Sequence, residues 1–108
     1  YSNLNTTSYS ILKTDYASAL KKGKTTLNQF QKLNDNKGIA LTHLRIGKAQ
    51  MLQGSYPNAL SSCFEALSIF EKLNDQKGIA ETYSTIARIY SYQGDHDEAI
   101  DFAFKSFE

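Results

Sequence analysis

Lys32-Leu33-Asn34-Asp35-Asn36-Lys37-Gly38-Ile39-Ala40 returns as Lys72-Leu73-Asn74-Asp75-Gln76-Lys77-Gly78-Ile79-Ala80, with eight of nine positions identical at an offset of 40 residues. The same offset pairs Tyr16 with Tyr56, Ala19 with Ala59 and Ala99, Leu20 with Leu60, Leu27 with Leu67, Phe30 with Phe70, Ile46 with Ile86, and Gly54 with Gly94. A fixed period of this length marks a stack of like supersecondary units, each of which buries its apolar face only against its neighbours.

Inside a unit the apolar spacing is helical. Ala80, Tyr83, Ile86, Ala87 and Tyr90 line one side of a helix, and Ile100, Ala103, Phe104 and Phe107 do the same in the next segment. Between them Gly94 suits a helix C-terminus, and Asp95 with Glu98 three residues on fits a reciprocal N-terminal cap. In the middle unit Ser55 is the expected cap, and Pro57 sits in a first turn where its missing N–H does no harm. No segment sustains the period of two that a strand needs. The reading is all-α: helix pairs with turns near Thr14-Asp15, Gly54-Ser55 and Gly94-Asp95. The junctions fall near Asn34-Asp35 and Asn74-Asp75, where Asp35 and Asp75 are the expected N-caps. Gly47 and Ala59 are expected where helix axes come closest.

Ile46-Gly47, Gly54, Tyr56, Ala59-Leu60 and Ala66-Leu67 resemble the tetratricopeptide repeat signature: a Leu-Gly pair, a turn glycine, an aromatic and two small residues. The third unit matches through Ile86-Ala87, Tyr90, Gly94 and Ala99-Ile100, and departs at His96, Ser106 and Phe107. The first unit matches only in its second half, and Tyr1 to Lys13 lacks the pattern. The resemblance implies a right-handed α-solenoid of antiparallel helix pairs, about three repeats in units of roughly 1–35, 36–75 and 76–108. The period of 40, in place of the commoner 34, is similar to arrays found in bacterial signalling proteins. The start at Tyr1 and the stop at Glu108 inside a helical pattern read as a single domain excised from a longer chain.

Composition restricts the function. Twelve Lys and Arg against eleven Asp and Glu give a net charge of +1, so nucleic acid is not an expected partner. No apolar run approaches the roughly 20 residues of a membrane-spanning helix. The lone Cys63 cannot close an intramolecular disulfide and suits a reducing compartment; the expected location is cytoplasmic, with a periplasmic sensor domain as the alternative. There is no phosphate loop, His-Glu-x-x-His pair, Cys-x-x-Cys or nucleophile elbow, so no catalytic, cofactor or metal site is expected. His43 and His96 read as structural, Cys63 as a buried inert thiol, and Asp95, Asp97 and Glu98 as helix-start carboxylates that offset the dipole.

The work is therefore expected at a surface. Stacked helix pairs form an extended groove suited to a peptide or a partner helix. The resemblance places Leu41, Leu44, Lys48, Met51 and Leu52 of the middle unit there, with Glu81, Ser84, Arg88, Ser91 and Tyr92 of the third. Lys48 and Arg88 would together receive a carboxylate, or stand as ordinary solvated charges. The leading function is protein or peptide binding in the sensory or regulatory part of a bacterial signal-transduction protein, with self-association through the uncovered Ile100, Phe104 and Phe107 as a further possibility. The alternative is a chaperone adaptor that clamps a C-terminal carboxylate. Of that clamp only Arg88 fits. Ser84 stands one turn earlier where Lys belongs, Arg45 replaces Asn, and Leu4 and Ser8 occupy the first unit's positions.

Overall fold

The computed structural model describes the backbone of residues 2–107 and the side chains of residues 17–107. The chain forms five helices: α1 (Ser2–Leu33), α2 (Asn36–Leu52), α3 (Tyr56–Lys72), α4 (Gln76–Gln93) and α5 (His96–Lys105). Each packs against the next, and α4 also reaches α2, which is the neighbour-only pattern of a solenoid. The result is a slab of 48 × 37 × 19 Å with a radius of gyration of 15.0 Å, above the roughly 13 Å of a compact domain of about 100 residues.

The two junctions are built identically. Asn34 and Asn74 take left-handed backbone (φ 54° and 55°), which Asn tolerates better than most residues. The amides of Asp35 and Asp75 donate to the carbonyls of Phe30 and Phe70 at 3.0 Å. The two aspartates then cap the next helix, each carboxylate accepting from the amide of Gly38 or Gly78 at 3.0 Å. The rings of Phe30 and Phe70 lie against the same two glycines, so closely that a Cβ at either would collide with the ring. Thr42 and Thr82 are buried without orphaning a hydroxyl, because each Oγ1 donates to the carbonyl four residues back at 2.7 Å.

The hairpin turns use a different device. Gly54 and Gly94 have φ of 83° and 86° and no crowding at Cβ, so conformation alone selects glycine there. Ser55 and Asp95 occupy the N-cap positions, but neither side chain makes a cap hydrogen bond. The expected reciprocal cap between Asp95 and Glu98 does not form; Asp97 and Glu98 sit in the first turn, where their charge opposes the helix dipole.

The expected turn at Thr14-Asp15 is absent, and α1 runs unbroken through it. Position 14 is the register equivalent of Gly54 and Gly94, and Thr stands there. A β-branched residue is penalised at positive φ, and Thr14 is followed by no proline, so nothing stops the helix. The first unit is therefore one long helix and not a helix pair. The side chains of Leu4, Ser8 and Tyr16 lie outside the described residues.

The core joins α2, α3 and α4 through Ala40, Leu44, Met51, Ala59, Cys63, Ala66, Leu67, Phe70, Ile86 and Ile89. Gly47 is the closest approach of α2 to α3: a Cβ there would lie 2.7 Å from Cys63 Sγ and 3.2 Å from the Ala59 carbonyl. The last hairpin is closed mainly by aromatic contact, with Phe102 stacked on Tyr90 at 5.5 Å and tilted against Tyr83 at 5.9 Å.

Candidate functional site

The ten residues expected to line a groove separate into three groups. Leu44 and Met51 do not reach the surface: at 2 and 3% exposure they belong to the core, because α3 and α4 close over this side of α2. Leu41 is half-buried and lines a cleft of about 260 Å³ between α2 and α4, together with Lys37, Asp75, Lys77 and Glu81. Lys48 is likewise half-buried, and Leu52, Glu81, Ser84, Arg88, Ser91 and Tyr92 are exposed.

Lys48 and Arg88 do not act as a pair of free cations. Lys48 Nζ donates to Glu81 Oε1 at 2.7 Å, joining α2 to α4 at a partly exposed site. Arg88 has no carboxylate within ion-pair distance among the described residues. Tyr92 stacks on Tyr56 with ring centroids 6.0 Å apart, so α4 is tied to the preceding hairpin near both of its ends.

Arg88 instead lies on a second cleft, of about 410 Å³, that opens along the outer side of the α4–α5 hairpin. Ser84, Ala87 and Ser91 of α4 form one wall, and Ala99, Ile100 and Ala103 form the other, with His96 and Phe107 at the ends. Arg88 and His96 are its ionisable lining groups. Ile100 and Phe107 keep 54 and 87% of their surface exposed. The α5 wall is not among the expected groove residues. A signal for it exists in the repeat, because Ala99 and Ala103 follow Ala59 and Cys63 at the same offset.

Burial shifts two titratable groups of the middle hairpin, Cys63 and His43. Cys63 is fully enclosed, and desolvation pushes its thiol up to about 12 against a weaker opposite pull from Lys48, which makes it an unreactive packing residue. His43 is half-buried, and desolvation lowers its pKa from 6.5, opposed by the Glu65 carboxylate. His96 is exposed at the cleft. Among the described residues no group of three or more His, Cys, Asp or Glu is placed to hold a metal ion. No described helix is long and apolar enough to cross a membrane.

Comparison with known proteins agrees with this architecture. The chain is similar to the tetratricopeptide repeat domain of FLU from Arabidopsis, with 26% identity and a TM-score of 0.70 over 89% of this chain and 94% of that one. No curated protein gives a significant match. The tetratricopeptide repeat family profile matches residues 38–108, which hold the α2–α3 hairpin from its third residue on, the second junction and the α4–α5 hairpin. With the period, the glycine turns and the small-residue helix contacts, that match identifies the chain as a member of the tetratricopeptide repeat family, whose domains generally mediate protein–protein interaction.

Proposed function

We propose that this domain binds a peptide or protein segment as the regulatory part of a bacterial signal-transduction protein. Its contact surface is the exposed side of α4, with Ser84, Arg88, Ser91 and Tyr92, continued by Leu41, Lys48 and Leu52 of α2. The signalling context is supported by the 40-residue period and the Asn-Asp-x-Lys-Gly-Ile-Ala junction, which resemble arrays that precede histidine kinases and nucleotide cyclases.

The binding reading is carried by one observation: Arg88 is exposed on an open, largely apolar cleft and lacks a carboxylate partner among the described residues, whereas Lys48 is already neutralised by Glu81. A guanidinium beside apolar walls favours a segment that brings a carboxylate together with apolar contacts. Arg88→Glu is the informative variant, since Lys48→Glu would also break the bridge to Glu81. On an immobilised peptide array, the peptides retained by the wild type and lost by Arg88→Glu should be acidic, and their retention should weaken with added salt. The helical signal and melting temperature should stay nearly constant. An array on which no peptide distinguishes the two proteins overturns the reading.

A further inference from the structure

A cleft of about 200 Å³ opens between α1 and α2, at the other end of the stack from Arg88. Ala19, Lys22, Gly23 and Thr26 of α1 line it, with Arg45 and Ile46 of α2. These places recur 40 residues on as Ala59, Ser62, Cys63 and Ala66 of α3 with Thr85 and Ile86 of α4, and there α2 packs across both helices. Five of those six are buried and Ser62 is half-buried, whereas Ala19, Lys22 and Arg45 stand exposed in the first layer. The open cleft is thus the seat of a first-unit helix that α1, by running straight through Thr14, has not supplied.

We infer that this cleft receives residues 2–12 of a second copy of the chain, so that two molecules exchange the N-terminal parts of their α1 helices. The register names the occupant. Residues 2–12 stand 40 before residues 42–52 of α2, with Leu4, Ile11 and Leu12 at the places of Leu44, Met51 and Leu52; an earlier repeat would stack beyond them. They carry no charge, so nothing in them repels Lys22 and Arg45. The closest contact of the middle hairpin also transposes. A Cβ on Gly47 would meet Cys63 Sγ and the Ala59 carbonyl, and the corresponding pairing sets Thr7 against Gly23 and Ala19, with one glycine at the tight point in either case. Ser62 donates to Gln50 at 2.8 Å, and its counterpart is Lys22 facing Ser10, again a donor and an acceptor. The straight helix keeps the segment from the cleft of its own copy, because Thr7 and Gly23 lie about 24 Å apart along it. Two antiparallel α1 helices satisfy both seats at once. Thr7 of each copy meets Gly23 and Ala19 of the other about a two-fold axis near Thr14, and the interface is isologous and closed. This exchange does not depend on the peptide reading, which concerns Arg88 and α4.

Cross-linking tests the exchange, because Cys63 is enclosed and unreactive and adds no background. The single variants Ser10→Cys and Lys22→Cys, mixed and treated with a short bis-maleimide, should join at twice the chain mass, and neither should do so alone. The double variant should also link at twice the mass. Linking of the double variant at one chain mass overturns the inference, since residues 2–12 then fold back within their own copy. So does the absence of any product in the mixture. In sedimentation the wild type should form a dimer that Ala19→Arg, at a place exposed in the single copy, weakens at least about tenfold with the helical signal unchanged. A dimer that Ala19→Arg spares and Ile100→Asp abolishes refutes the exchange, because the copies then meet through α5. Thr14→Gly with Ala17→Pro places the glycine and proline of Gly54 and Pro57 at the equivalent hinge, and should convert the dimer to a monomer. A dimer indifferent to that pair of changes would refute it as well.

Discussion

Leu44 and Ser84 occupy the same place in successive hairpins, as do Met51 and Ser91, and Tyr56 and His96. In the α2–α3 hairpin these places lie under or beside α4, and apolar or aromatic residues hold them. In the α4–α5 hairpin they line an open cleft, and the residues are polar. The backbone plan is shared: a glycine turn with φ near 83–86° and a line of small residues facing the partner helix. A repeat thus separates two jobs. The small residues and turns make the hairpin, while a few positions on its outer side differ according to whether α4 covers them or they stand open.

The largest effects should come from exchanging those outer residues. Leu44→Ser removes a buried side chain and leaves a hydroxyl in the core, at a cost of about 3–5 kcal/mol. Ser84→Leu, the reverse change at the equivalent place, adds an apolar group to an exposed position and should move stability by no more than about 0.5 kcal/mol. Urea unfolding of both variants measures the contrast directly. Similar midpoints for the two would mean that the hairpins do not differ in cover as described.

The shared plan of the hairpins is legible in the amino-acid sequence, while the difference in their cover is not. The period, the helix pairs of the second and third units, the Asp35 and Asp75 caps and the tight Gly47 and Ala59 contact all follow from local rules about turns and small residues, and the helices form and pack accordingly. The first unit departs because only the register suggests a turn at Thr14-Asp15. The residue that permits positive φ is missing there, and that absence outweighs the period. The groove is legible only in part. An inward-facing register places a residue on a helix face without saying what lies over that face, so Leu44 and Met51 read the same way as surface residues such as Ser84 and Arg88. Pairing is also hidden. Glu81 lies 33 residues from Lys48, and only the packing of α4 on α2 brings their charges together.

A smaller difference separates the two kinds of joint. At the junction, Asp75 accepts a hydrogen bond from the Gly78 amide, while at the hairpin turn Asp95 makes none with its helix start. Asp75→Ala should therefore cost about 1 kcal/mol, within the usual range for a lost N-cap. Asp95→Ala should cost only a few tenths, through the weakened charge–dipole interaction. Thermal melts of the two single variants sharpen the comparison. Equal losses would mean that Asp95 closes its cap in solution.

The smallest expected effect concerns the cations at equivalent positions, Lys48 and Arg88. The Lys48–Glu81 bridge is short, but its side chains keep 37 and 47% of their surface exposed, so water screens much of the attraction. A double-mutant cycle with Lys48→Met and Glu81→Gln should give a coupling energy below about 1 kcal/mol that shrinks further in high salt. Arg88→Met breaks no ion pair among the described residues and should leave stability within about 0.5 kcal/mol of the wild type. A coupling of several kcal/mol for Lys48 and Glu81 would mean that the bridge is dry. The helix-to-helix seat would then hold its charge pair as a structural clasp.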